Sequence, residues 1–164
     1  MATRVVPLET SHQVNKFDCE NADLNFFLQA TAGQHQRKFL SKTYVLIDDD
    51  APTEVLGFYT LAVRRMISKF ELPPAMAKRL PRDIPGLSLA RLAVDRNVKG
   101  QGLGEYLLFD GMHRARRVAT EIGGFAIFVD AKDDTAAAFY RRYGFTSFPD
   151  NPLILLMPFA DMPR

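Results

Sequence analysis

The segment Leu89–Gly104, LARLAVDRNVKGQGLG, constrains this chain more than any other stretch. It reads as an apolar strand over 87–94, a polar turn, and a glycine-rich loop that opens a helix. Glycines alternate at Gly100, Gly102 and Gly104. With no Cβ atoms in the way, backbone N–H groups of such a loop can close around an anion. The helix that follows aims its partial positive end at the same place. A phosphate or pyrophosphate held against a strand end fits this pattern; so does a plain flexible turn before a helix. A Walker loop does not fit, because Glu105 and Tyr106 follow Gly104 where Lys and Ser or Thr are needed. A dinucleotide fingerprint fails too, because its last glycine position falls on Glu105.

A second motif decides between those readings. In Asp133–Phe145, DDTAAAFYRRYGF, Asp133 or Asp134 suits a helix N-cap, the alanines favour helix, and Gly144 suits the stop. Ala136, Phe139, Tyr140 and Tyr143 recur at helical spacing. The apolar run Phe125–Asp130 ahead of it reads as a buried strand. Together the two segments resemble motifs A and B of the GNAT N-acetyltransferases. Lys99 stands where that family usually has Gln or Arg, and Asp133 where it often has Asn.

The resemblance implies an α/β (α+β) fold with a central twisted mixed sheet, two splayed strands and flanking helices. It implies acetyl-CoA as co-substrate and no metal. The strand carrying Leu92, Ala93 and Val94 would line the pantetheine arm, with backbone groups of Leu92 and Val94 bonding its amides. N–H groups of Lys99, Gly100, Gln101, Gly102, Leu103 and Gly104 would take the pyrophosphate. Asp133 and Ala136 would belong to the helix along the CoA arm. Tyr140 sits at the family's position for the group that assists the leaving thiolate, with Tyr143, about one turn on, its nearest rival.

The rest of the chain agrees with one domain over 1–164. Apolar content of 47% with 24% charge is that of a globular protein. No apolar run approaches the roughly 20 residues of a membrane span, and the first residues have no signal-peptide core, so a cytoplasmic location is expected. Cys19 is alone, and His12, His35 and His113 lack metal-ligand spacing. Other elements read as a first short strand at Val5, a capped turn at Cys19–Leu24, and a helix through Leu24, Phe27 and Leu28. A strand over Thr43–Asp48 pairs with Val55–Val63, and a short helix lies near Met76. A long helix follows from about Leu103 to Ile122, with Leu103, Leu107, Ala115 and Ala119 on one face, and Ile154–Met157 forms a final strand.

Acetyl transfer from a thioester to an amine passes through an oxyanion that needs an oriented N–H donor, for which Val94 is a candidate. A lysine acceptor, with pKa about 10.4, needs a base; an α-amine at about 7.7–8.0 is already partly neutral. Between Ser88 and Val94 there is no carboxylate, and Asp95 turns into the loop. This favours an α-amine acceptor. Charge is uneven: residues 61–100 hold nine basic and three acidic side chains, against five and eight in residues 1–60. Arg37, Lys38 and Lys42 form a further tract without acids. Such focusing suits a polyanion as well as an ordinary solvated surface. Candidate RNA contacts are Arg64, Arg65, Lys69, Lys78, Arg79, Arg82 and Arg91.

From Phe17 to Met157 the chain resembles the TacT-type toxins of type II toxin–antitoxin systems. The carrying segments are Phe17–Leu28, Gly57–Ala62, Ala90–Asp95, Gly100–Gly104 and Val129–Ala131. The resemblance implies acetylation of the α-amine of aminoacyl-tRNA, which stops translation and growth. It also implies a homodimer and a ribbon-helix-helix antitoxin that neutralises the toxin and joins it on operator DNA to repress the operon. The alternatives are a GNAT enzyme for a small-molecule amine or peptide N-terminus, and a non-catalytic CoA- or RNA-binding module.

Overall fold

The structure, a computed structural model, describes residues 2–163. Its strands are β1 (Thr3–Pro7), β2 (Lys42–Asp48), β3 (Gly57–Ser68), β4 (Asp83–Val94), β5 (Ala126–Asp130), β6 (Thr146–Ser147) and β7 (Ile154–Pro158). They join in one seven-stranded sheet of order β1-β2-β3-β4-β5-β7-β6. The sheet is mixed: β4 and β5 run parallel, while the β1–β2, β2–β3, β5–β7 and β6–β7 pairs are antiparallel. The helices are α1 (Ala22–Phe26), a π-helical turn (Phe27–Thr31), α2 (Ala32–Arg37), α3 (Pro74–Ala77), α4 (Leu103–Ile122) and α5 (Asp134–Arg142). The residues group into two compact units, one reaching Ala62 and including Ala90–His113, the other comprising Val63–Leu89 and the chain from Arg114 on.

In the first unit, β-branched and aromatic residues of Lys42–Asp48 pair with β1 and with Gly57–Leu61 of β3. Their inward faces, Val45, Ile47 and Phe58, pack with Phe17, Phe27, Leu28, Ala32 and Ala93 in one core. The Phe17 ring meets Phe58 edge-on with centroids 5.5 Å apart, a favoured aromatic geometry. Asn21 caps α1 by accepting from the Leu24 N–H at 3.0 Å. Gly57 is required by contact: a Cβ there would lie 2.7 Å from Leu107 Cδ1 and 2.9 Å from the Ala93 carbonyl oxygen. Leu107, Leu108 and Met112 of α4 are buried together with Leu103, so the helix's packed face is wider than the Leu103–Leu107 line.

In the second unit, Ala126, Ile127, Phe128 and Val129 of β5 are almost wholly buried, as a strand covered on both faces must be. β5 pairs with β4 at Gly86–Ser88 and with β7 over its whole length. At Gly86 a Cβ would overlap the Phe128 ring, so the close approach of β4 to β5 depends on glycine. Ile67, Leu72, Ile84, Phe128, Phe148 and Leu156 form this unit's core.

Two strands are longer than the sequence suggests. β3 runs to Ser68, five residues past Val63. Arg64-Arg65 looks like a break, but the strand continues to the buried Ile67 and the Arg64 charge is paired. β4 starts at Asp83 rather than near 87. Pro85 looks like punctuation, yet it is exposed between the buried Ile84 and Gly86 near the start of the strand. The two-residue β6 follows the Gly144 turn and pairs with β7.

Candidate active site

The glycine loop is held from below by the turn that precedes α1. Asp95, buried at the end of β4, accepts from the Asp18 N–H at 3.0 Å through Oδ2 and from the Asn97 N–H at 2.9 Å through Oδ1. The second bond caps a 3-10 turn over Arg96–Val98. Arg96 N–H donates to the Asp18 carbonyl at 2.8 Å. Lys99 Nζ donates to the Cys19 carbonyl at 3.2 Å and lies 3.3 Å from Glu20 Oε1. The Lys99 ammonium is therefore engaged with the 19–20 turn. The Asp18 carboxyl is held below its ordinary range by the Glu20 N–H first and the Asn25 amide second, with Arg96 and Lys99 adding charge. Asp18 and Asn25 are structural parts of this site that composition and spacing did not single out; the Phe17–Leu28 frame was their only trace.

Beyond Lys99 the loop is open. Gly100 and Gly102 have φ of +79° and +77°, and a Cβ at either would touch nothing within 4 Å. The main-chain N–H groups of Gly100, Gln101, Gly102, Leu103 and Gly104 make no hydrogen bond among the described residues. The Gly102 carbonyl accepts from the Tyr106 N–H at 3.1 Å, closing the first turn of the 20-residue α4. Consecutive free N–H groups running into a long helix's N-terminus form a donor set for a phosphate group. A diphosphate fits this donor set: it supplies acceptors, and the glycines leave room for it.

Above the loop, Leu92, Ala93 and Val94 close β4. Ala93 is buried, while Leu92 and Val94 are half-buried. The Asp95 N–H donates to the Leu56 carbonyl at 2.8 Å. Peptide groups alternate sides along a strand, so those of Leu92 and Val94 face the opposite edge. The ladder from β4 to β5 ends at Ser88 and Phe128. The strand edge bearing Leu92 and Val94 thus continues past the last paired rung.

In the second unit, Asp133 caps α5, its Oδ1 accepting from the Ala136 N–H at 2.8 Å. Ala137 is the alanine that packs fully; Ala136 is half-buried. Gly144, with φ +97°, ends the helix. The Tyr140 ring lies 5.3 Å from Phe139 and 5.6 Å from Phe145 by centroid. Burial pushes the Tyr140 hydroxyl up to about 12. Among the described residues its hydroxyl makes no hydrogen bond. Tyr143, stacked edge-on against Phe139 at 5.1 Å, has Arg142 over its ring.

The candidate RNA contacts divide. Arg64 forks onto Asp130, Lys69 Nζ donates to the Leu80 carbonyl at 3.1 Å, and Arg91 lies 4.6 Å over the Phe27 ring. Arg65, Lys78, Arg79 and Arg82 are exposed. Among the described residues no cluster of three or more His, Cys, Asp or Glu is arranged for a metal, and no helix is long and apolar enough to cross a membrane.

Residues 40–147 match the acetyltransferase (GNAT) domain. The chain belongs to that family: it is an acetyl-CoA-dependent N-acetyltransferase. Along 94% of its length it is 32% identical to a tRNA-acetylating toxin of Mycobacterium tuberculosis (strain ATCC 25618 / H37Rv), covering 90% of that protein. Its structure superposes on a crystal structure of a tyrosine-to-phenylalanine mutant of KacT with a TM-score of 0.91, at 28% identity, covering 98% and 96% of the two chains. It superposes on AtaT complexed with acetyl-methionyl-tRNAfMet with a TM-score of 0.89, at 28% identity, covering 96% and 95%. The mixed sheet and the fold expected from the motifs are those of these proteins.

Proposed function

We propose that this chain is the toxin of a type II toxin–antitoxin system and acetylates the α-amine of aminoacyl-tRNA. The observation that carries the reading is its near full-length likeness to a tRNA-acetylating toxin, and the likeness to AtaT holding an acetylated aminoacyl-tRNA agrees with it. A capped α-amine cannot attack the peptidyl ester, so translation stalls.

In this reading, the free N–H groups from Gly100 to Gly104 take the diphosphate of acetyl-CoA, and the main chain of Leu92 and Val94 takes the pantetheine amides. The amine attacks the thioester carbon, a C–N bond forms, and the C–S bond breaks. Tyr140 donates a hydrogen bond to the departing sulfur. With its pKa near 12 the phenol stays protonated throughout the neutral range. The amine loses a proton as its nitrogen is acylated, which balances the proton the departing sulfur takes up. KacT and AtaT have each been solved as a tyrosine-to-phenylalanine mutant, the change that isolates such a hydroxyl. Both oxygens of Asp95 already accept from main-chain donors, so this carboxylate braces the loop. An α-amine, partly neutral already, needs no base.

The partners follow the same comparison. AtaT has been solved bound to the C-terminus of the antitoxin AtaR, and the AtaT–AtaR complex bound to DNA. We assign this chain a ribbon-helix-helix antitoxin that covers the active site, joint repression of the operon, a homodimeric state and a cytoplasmic location. The deciding experiment incubates the protein with labelled acetyl-CoA and a charged bulk tRNA pool. Label on the aminoacyl ends is the expected result. Label on free polyamines or peptide N-termini, with charged tRNA left unmodified, would replace this reading with a small-molecule or peptide acetyltransferase.

A further inference from the structure

Phe39 is the most exposed large apolar residue described, at 96%, and it has a φ of +61°. It occupies the position after the C-cap of α2. The Phe39 N–H donates to the Gln36 carbonyl at 3.2 Å and the Leu40 N–H to the His35 carbonyl at 2.9 Å. These are the two bonds of a Schellman stop, whose left-handed residue is usually glycine. A phenylalanine there is strained, and full exposure gains it nothing in packing. Neither stability nor solubility accounts for it; an observed strained residue in the open points toward function.

Its surroundings name the ligand chemistry. Arg37, Lys38, Leu40 and Lys42 are exposed beside it. No acidic residue occurs between Asp23 and Asp48. Arg37, Lys38 and Lys42 make no ion pair among the described residues. A helix C-terminus favours nearby cations, which explains Arg37 and Lys38 but not the ring between them and Lys42. An exposed aromatic face flanked by unpaired cations is the pattern that binds unpaired nucleotides, with stacking on the ring and phosphates on the charges.

We infer that Phe39 is a stacking platform for an unpaired base of the tRNA substrate, with Arg37, Lys38 and Lys42 holding the adjoining phosphates. This rests on tRNA being the substrate, as proposed above, and adds where a nucleotide is held. Glycine suits the backbone at this position, so Phe39→Gly removes the ring without harming the fold.

The test measures binding of fluorescein-labelled bulk tRNA and of a blunt RNA duplex, without acetyl-CoA, by anisotropy. Phe39→Gly should melt at or above the wild-type temperature and weaken tRNA binding by about tenfold. Phe39→Tyr should bind tRNA as wild type does, and duplex affinity should be the same in all three. Unchanged tRNA affinity in Phe39→Gly overturns the inference, as does a Phe39→Tyr variant as weak as the glycine variant. Loss of a dimer in light scattering with tRNA affinity unchanged would instead assign the patch to a second copy. If wild type binds tRNA in this ring-dependent way but acetylates none of the charged pool, the stacking site stands and the proposed reaction falls. If the charged pool is acetylated equally well by Phe39→Gly, the reaction stands and the stacking site falls.

Discussion

Arg64 grips Asp130 with both guanidinium nitrogens, Nη1 to Oδ2 at 2.8 Å and Nη2 to Oδ1 at 3.1 Å. Nη1 also lies 3.2 Å from Ser88 Oγ, and the guanidinium sits 5.2 Å over the Phe128 ring. Residues of β3, β4 and β5 therefore meet at the last rung of the parallel ladder, Ser88 with Phe128. The Arg64 side chain is only 15% exposed while that of Asp130 is 63% exposed, so the pair is firmer than a surface ion pair and avoids the cost of full burial.

Arg64→Lys keeps the charge but loses the planar fork and the stacking on Phe128. Its expected cost is about 1–2 kcal/mol, read in urea unfolding as a lower midpoint at unchanged slope. A variant as stable as wild type would reduce this contact to decoration.

The loop is tested at Gly102. Gly102→Glu adds backbone strain of about 1–2 kcal/mol at φ +77°. It also sets a carboxylate where the diphosphate is proposed to lie. Because a Cβ there meets no neighbour within 4 Å, the fold should survive. Acetyl-CoA affinity, measured by calorimetry, should fall at least about tenfold from like-charge repulsion. Binding equal to wild type would reject the loop as the cofactor's grip. Gly102→Ala, which carries the strain without the charge, separates the two causes.

Tyr140→Phe should fold, bind acetyl-CoA and lower kcat by about 10²-fold or more, relieving growth arrest. It also has a titration signature. The unfolded phenol titrates near 10.0 and the folded one near 12. The native state thus holds this proton more tightly. The associated stability is fully present below pH 10 and is lost as pH rises from 10 through 12. Wild type should therefore lose stability relative to Tyr140→Phe across that window. In an ultraviolet titration, the last tyrosine to ionise should be missing from the variant.

Much of the fold was legible because its signals were local. α4 begins at Leu103 and ends at Ile122 as its pattern indicates, and of the two aspartates suited to cap α5, Asp133 does so. The glycines of the loop announced an open backbone, and Gly100 and Gly102 are the two held at positive φ. What escaped was non-local. Arg64 looks like a strand end until its charge finds Asp130, 66 residues away. Asp18 looks like an ordinary turn residue until Asp95 arrives from 77 residues along the chain, and so does Cys19 until Lys99 arrives from 80. Lys99 illustrates the limit: its position marks the loop, but only tertiary structure shows its ammonium turned toward Cys19 and Glu20. For Phe39, sequence shows a basic tract, and only the backbone shows that its aromatic residue is held left-handed in the open.

Asp95 separates a brace from a base. It is buried and immediately follows the strand that ends at Val94, which makes it the carboxylate to test as a base. Yet Oδ1 and Oδ2 each already accept from a main-chain N–H, of Asn97 and Asp18. Asp95→Asn replaces one acceptor by an NH₂ group that faces another donor. It should cost about 1–3 kcal/mol of stability, seen as a lower melting temperature, and should loosen the loop above it. With the variant held well below its melting point, kcat should stay close to wild type and the pH–rate profile should keep its shape. A base would behave otherwise: kcat would fall by about 10²–10⁴-fold and the acidic limb of the profile would vanish. That second outcome would also undercut the α-amine assignment, because an enzyme with a working base has no need of an acceptor that is already neutral.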